Sequence, residues 1–227
     1  MGTWIQLGHG GVAEILAKAS YDWVCVDLEH GVIDLETATE IFRVLDTFGC
    51  VPAVRVPKND TLWIRRVLDA GARCIIVPMV NTVEEAKAAV AATKYPPAGV
   101  RGFGFCRANE HGVEFESYMN SANEEIAVVM QIEHIDAIEN LSGILDVDGV
   151  DGVFVGPLDL TGSMGLVGQM DHPEVVQALS RFREVCASEG KSAGMHIVHP
   201  NSESIQQSVN EGYTFIALGL DNVFLHF

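Results

Sequence analysis

The sequence predicts a single (β/α)8 barrel spanning residues 1–227, and three observations carry that prediction. Eight short apolar runs rich in β-branched residues recur along the chain. Stretches with apolar residues at helical spacing separate them. Apolar residues make up 48% of 227, enough for one sizeable core and too little for two domains with a linker. Alternating strands and helices are the signature of βαβ units on parallel strands, and eight such units in this length favour a closed barrel over an open doubly wound sheet.

In order, the apolar runs at 3–7, 23–27, 51–56 and 74–78 are each followed by a helical pattern, at 12–19, 35–48, 61–70 and 83–93. Residues 96–123, rich in Gly, Arg and Asn, then read as a long loop after the fourth strand, and long connections of that kind are usually functional. Runs at 127–132, 152–155 and 193–197 come next, with helices at 135–144, 173–189 and 202–211, and the last run is 215–218. Gly49, Gly71, Gly190 and Gly212 stand at helix exits, where a left-handed residue ends a helix. Residues 219–227 leave room for a truncated final helix or none.

Fourteen Lys and Arg against 31 Asp and Glu give a net charge of −17, which argues against nucleic acid and anionic membranes as partners. The same field repels small carboxylates, so an anionic substrate needs a local metal or arginine. No apolar stretch approaches the ~18 residues of a membrane span. The opening Met-Gly-Thr-Trp lacks the pattern of a secretory leader. The 5 cysteines are scattered without a Cys-x-x-Cys pair, as in a reducing compartment. A soluble, cytoplasmic protein is the expectation.

In a barrel, the residues just past the strands build the active site. Those positions hold Asp27-Leu28-Glu29-His30, Arg55, Gln131-Ile132-Glu133-His134 and Gly156-Pro157-Leu158-Asp159. Glu133 and Asp159 end adjacent strands, and two carboxylates with open positions suit a hard divalent ion; a plainer alternative makes them surface caps. His30 beside acidic residues suits a general acid or base, or else a structural histidine. Arg55 at the end of an apolar strand needs a buried partner, which is either a substrate oxygen or a salt bridge to Asp69 or Asp27. Phosphate-binding glycine loops and the Gly-x-Ser-x-Gly elbow are missing from the sequence. No lysine lies inside an apolar strand, which argues against Schiff-base chemistry. Cys25 and Cys74 read as packed core, and His196 among others forms no metal-ligand spacing.

Seven segments in order resemble the HpcH/HpaI aldolase family of class II metal-dependent pyruvate aldolases: Tyr-Asp-Trp-Val-Cys-Val-Asp-Leu-Glu-His-Gly (21–31), Val-Arg-Val-Pro (54–57), Val-Leu-Asp-Ala-Gly-Ala (67–72), Val-Pro-Met-Val (77–80), Tyr-Pro-Pro-Ala-Gly-Val-Arg-Gly (95–102), Gln-Ile-Glu (131–133) and Gly-Val-Asp-Gly-Val-Phe-Val-Gly-Pro-Leu-Asp-Leu (149–160). The likeness covers nearly the whole chain. It implies reversible aldol cleavage of a 4-hydroxy-2-oxo acid, a 2-keto-3-deoxy sugar acid or a dicarboxylate, to pyruvate and an aldehyde through the pyruvate enolate. It also implies a divalent metal, Mg2+, Mn2+ or Co2+, on Glu133 and Asp159. By the same resemblance Arg55 stabilises the enolate oxygen, His30 paired with Asp69 moves the proton, and Gln131 assists. Backbone groups at Gly156, Leu158 and Asp159 hold the pyruvate carboxylate. Cys-Arg-Ala-Asn (106–109) matches a further family segment, from which Arg107 is expected to bind the aldehyde. The resemblance implies a homo-oligomer, trimeric or hexameric, although the family's last helix is missing past Leu225 and Leu28 stands where Gly is common. Oxaloacetate decarboxylation on the same site, or a catalytically silent keto-acid-binding barrel, are the alternatives.

Overall fold

In the computed structural model, which describes residues 1–226, eight parallel strands close into a barrel in chain order. They are β1 (Gly2–Ile5), β2 (Trp23–Asp27), β3 (Val51–Arg55), β4 (Cys74–Val77), β5 (Ala127–Ile132), β6 (Gly152–Val155), β7 (Ser192–Ile197) and β8 (Phe215–Leu220), with β8 paired to β1. Around them lie α1 (Gly10–Lys18), α2 (Leu35–Thr47), α3 (Thr61–Asp69), α4 (Val83–Thr93), α5 (Phe115–Glu125), α6 (Ile135–Glu139), α7 (Leu141–Leu145), α8 (Pro157–Ser163), α9 (Pro173–Ser188), α10 (Ser202–Asn210) and α11 (Asp221–Phe224). The last described helix, α11, has four residues. Its Asp221, 3% exposed, accepts from the Gln6 and Leu7 amides and so ties the end of β1 to the end of β8.

Strand residues alternate between two apolar layers because successive side chains leave opposite faces. Val24 and Val26 face the helical ring, in one cluster with Phe42, Leu45 and Phe182. Trp23 and Cys25 belong to an inner cluster with Trp4, Ala53, Cys74, Ile76, Val129, Phe154 and Ala217, so the barrel is filled with side chains and Cys25 and Cys74 are packed core. Two residues further along the same inward face come Gln6, Asp27, Arg55 and Gln131. A polar layer therefore caps an apolar plug.

The segment after β4 departs from the expected loop. α4 carries the chain back to the start of the strands before residues 96–123 begin, and those residues contain a 3-10 turn (Arg107–Gly112) and α5. The segment is fastened at that end. Arg101, fully buried, donates to Asp69 at 2.8 Å and to the Tyr118 hydroxyl at 3.1 Å, and it stacks on the Tyr95 ring at 4.6 Å. Arg107 donates to the Ala70 carbonyl at 3.0 Å and pairs with Asp46. In one chain, this segment therefore lies at the opposite end of the barrel from the carboxyl ends of the strands.

Candidate active site

The β2–β3 register sets Asp27 directly beside Arg55, so the two side chains meet at the mouth. Arg55 donates from Nε to Asp27 Oδ1 at 3.0 Å and from Nη2 to Oδ2 at 2.7 Å, a bidentate pair with the carboxylate 1% exposed. Of the partners the sequence allows Arg55, the structure selects Asp27. Asp27 Oδ2 also accepts from Gln6 Nε2 at 2.7 Å, and Oδ1 accepts from the Glu29 and His30 amides. Arg55 Nε lies 3.2 Å from Glu29, and its Nη1 reaches Gln131 Oε1 at 3.4 Å. Gln131 Nε2 in turn donates to Glu133. Asp27, Arg55, Gln131 and Glu133 thus form one hydrogen-bonded chain across three strands.

Glu133 is 4% exposed and accepts the Met79 amide at 2.7 Å. Met79 takes a left-handed backbone, φ +53, which is costly for a residue with a side chain and is found where a functional group must be aimed. A Cβ at Gly156 would lie 2.9 Å from Glu133 Oε2, so only glycine leaves this carboxylate its place. Burial holds the Glu133 carboxyl above its ordinary value against the opposing Gln131 and Met79 hydrogen bonds, and the charge of Asp159 adds to the rise. Asp159 sits in the first turn of α8, exposed at the mouth.

These residues open into a cavity of about 350 Å³ lined by Trp4, Gln6, Asp27, Arg55, Gln131, Gly156, Leu158, Asp159 and His196 among others. Asp27 and Asp159 line this cavity, and Glu29 and Glu133 adjoin it through Arg55 and Gln131. These four acids stand against Arg55, the one cation among the described lining residues. The donors of Glu133 and Asp159 are hard oxygens, and their mutual repulsion favours a cation between them; this fits a divalent ion that keeps open positions for water or substrate. Among the described residues, no three His, Cys, Asp or Glu side chains cluster to hold a metal without such outside ligands.

Asp27 supplies a pH signature. Burial pushes its carboxyl up, but the hydrogen bonds and charge of Arg55 outweigh that and leave it below the ordinary carboxylate value. Its stabilisation is therefore complete above the ordinary value of about 3.9 and is lost as pH falls through the lower folded value. Denaturant titrations should show wild type more stable than Asp27→Asn at neutral pH, with the gap closing on the acid side of that window. A gap independent of pH would refute the assignment.

Two expected site residues lie elsewhere. Asp69 ends α3, which begins at the mouth at its cap Asp60 and runs about 13 Å toward the strand starts. There Asp69 pairs with Arg101, whereas His30 sits 63% exposed at the mouth, 3.8 Å from Glu29. The expected His30–Asp69 pair is not assembled within one chain, because a helix length separates them. Arg107, expected to bind the aldehyde, lines a different cavity of about 480 Å³ at the strand starts with Asp46 and Arg73, and Asp46 already pairs with both arginines. The sequence reading passed over Trp4, Gln6 and His196 as site residues. The signal for all three was the inward phase of the strands: each continues the period-2 pattern to the mouth.

The model of the HpcH/HpaI aldolase/citrate lyase family matches residues 1–226. Similar curated proteins include a 4-hydroxy-2-oxovalerate aldolase of Rhodococcus jostii (strain RHA1), 40% identical over 97% of this chain and 85% of the relative. A 4-hydroxy-2-oxo-heptane-1,7-dioate aldolase of Salmonella dublin is 38% identical over 99% of this chain and 85% of its own. Among solved structures, a HpcH/HpaI aldolase/citrate lyase family protein from Burkholderia cenocepacia J2315 superposes with a TM-score of 0.93 at 33% identity, covering 99% of this chain and 89% of the other.

Proposed function

The chain belongs to the HpcH/HpaI aldolase/citrate lyase family and is a carbon–carbon lyase of the aldolase type, and from that premise we propose that its mouth cavity cleaves a 4-hydroxy-2-oxo acid reversibly to pyruvate and an aldehyde. The observation that supports this reading most is the linked set Asp27, Arg55, Gln131 and Glu133 at one mouth, with Asp159 close enough for its charge to act on Glu133. The family is in general divalent-metal dependent, and Glu133 and Asp159 are the residues that would hold the ion, whether Mg2+, Mn2+ or Co2+. When bound, such an ion polarises the keto group and lets an anionic substrate approach an acidic mouth.

The chain's own residues do the rest. Burial lowers the proton affinity of Arg55, but the hydrogen bonds and charge of Asp27 outweigh it, so the guanidinium stays charged throughout the working range. With Nε and Nη2 fixed by Asp27, it can direct Nη1 at the oxygen on which charge grows as the enolate forms, which is where binding accelerates a reaction. Gln131 holds Arg55 and Glu133 in register. The amides of Leu158 and Asp159, in the first turn of α8, are offered to the pyruvate carboxylate, while the Gly156 amide is held by the Ile132 carbonyl at 3.0 Å. His30, exposed beside Glu29, exchanges the proton between the substrate methyl group and solvent. A second copy, laying its strand-start face over this mouth, is the arrangement that would bring an Asp69 to His30, and a homo-oligomer is therefore part of the proposal.

Pyruvate methyl exchange into deuterium, followed by NMR, tests enolate formation without any aldehyde. Exchange should require Mg2+ or Mn2+, stop with EDTA, and be carried by an oligomer in sedimentation under the same conditions. Absence of exchange with every metal would sink the aldolase proposal, and exchange by a monomer would sink the shared site.

A further inference from the structure

The expected reaction leaves the aldehyde open, and one part of the cavity bears on it. Past β6, β7 and β8 the lining includes Leu158, Asp159, Met170, His196, Val198 and Leu220. Four of the six are apolar. Asp159 belongs to the carboxylate pair described above, which leaves His196. It continues the inward face of β7, its ring packs against Trp4 at 5.8 Å, and its Nε2 lies 2.9 Å from the Gly219 carbonyl. A carbonyl only accepts, so Nε2 carries the hydrogen and Nδ1 carries a lone pair. Burial holds this imidazole below its ordinary proton affinity, and the charge of Arg55 works in the same direction, so the ring is neutral at physiological pH. Among the described residues, Nδ1 has no hydrogen-bond partner. Apart from Asp159, this part of the lining therefore presents one fixed acceptor among apolar side chains.

We propose that His196 Nδ1 accepts a hydrogen bond from a hydroxyl group borne by the aldehyde half of the substrate, which makes hydroxyaldehydes the preferred partners of pyruvate. The inference rests on the aldolase reading of the same cavity. A hydroxyl next to the carbonyl carbon satisfies Nδ1 when the wall is desolvated. An alkyl group leaves Nδ1 unpaired, and a site built to bond a substrate hydroxyl discriminates against the analogue that lacks it. Within the cavity of one chain, an aldehyde carrying a second carboxylate fares no better. The one cation among the described lining residues is Arg55, which Asp27 and Glu29 already hold, and a neutral acceptor repels a carboxylate oxygen.

The test compares kcat/KM for addition of pyruvate to glycolaldehyde and to propanal, which is close to it in size, with Mg2+ present. Wild type should favour glycolaldehyde. In His196→Leu the ratio should fall about tenfold, the worth of roughly one neutral hydrogen bond, and His196→Gln, which keeps an acceptor, should retain part of it. The ratio does not depend on the fraction of folded protein, so a destabilised variant still reports. An unchanged ratio in His196→Leu, or a wild type that prefers succinic semialdehyde to glycolaldehyde, would overturn the inference while leaving the aldolase intact. A wild type that neither exchanges pyruvate methyl protons nor adds pyruvate to any aldehyde would overturn the reading beneath it.

Discussion

Glu133→Gln should slow metal-dependent pyruvate methyl exchange by about a thousandfold while the barrel remains folded. Replacing one carboxylate oxygen by an amide removes half of the charged donor set proposed for the divalent ion. A bound cation of this kind contributes several kcal/mol to the stabilisation of developing charge, and each ~1.4 kcal/mol is a factor of ten in rate. The shape of the side chain is kept, and an amide oxygen can still accept the Met79 amide now bonded at 2.7 Å. Glu133→Ala should lose exchange to the same extent and also lose stability. The Met79 N–H, held at φ +53, would lose the acceptor it now bonds at 2.7 Å. Comparing the two variants by exchange and by thermal melting separates chemistry from packing. A Glu133→Gln protein that exchanged within about twofold of wild type at saturating Mg2+ would remove Glu133 from the metal site.

The largest loss of stability is expected from Arg55→Ala. The Asp27 side chain is 1% exposed, and Arg55 is the cation in its bidentate pair. Removing one partner of a buried ion pair leaves the other charge uncompensated, at a cost of about 3–5 kcal/mol. The amides of Glu29 and His30 and the Gln6 side chain still donate to Asp27 and place the expectation near the lower end. For a chain of this length that corresponds to a fall in Tm of roughly 6–12 °C. Exchange should fall by about a hundredfold or more, the usual effect of removing one donor to a developing oxyanion. The double variant Asp27→Ala/Arg55→Ala should regain much of the stability and none of the activity, because the orphaned charge is gone and the guanidinium is still missing. Should the single variant melt within about 2 °C of wild type, the pair would not be the buried, mutually dependent unit seen in the structure.

How far the site could be read beforehand varies from residue to residue. Glu133 and Asp159 were legible because they lie past the end of an apolar run, and Arg55 and Gln131 because a charged or polar side chain near the end of an otherwise apolar run stands out; in a parallel barrel those positions face the same mouth. Gln6 and His196 also lie near the ends of their runs. Only the phase of the alternation, fixed by Trp4 facing inward, separates them from neighbours that face the helices. Within one chain Asp69 and Arg107 lie away from the mouth for one shared reason. A family motif names residues that act together without saying which end of the barrel each occupies. Asp69 ends a helix and Arg107 follows one, so neither stands just past a strand, and both gather at the strand starts.

The eight strands, the main helices between them, the closed parallel barrel and the polar residues at the strand ends belong to the sequence itself. They depend on local pattern: period-2 and period-3.6 apolar spacing, and glycines where helices stop. The choice of Asp27 as the partner of Arg55, the chain of hydrogen bonds to Glu133, the neutral imidazole of His196 facing the cavity and the distance of Asp69 from His30 were decided only in three dimensions. Each depends on strand register and on which end of a parallel strand a residue reaches. Such pairings join positions far apart in sequence, and no local preference encodes them.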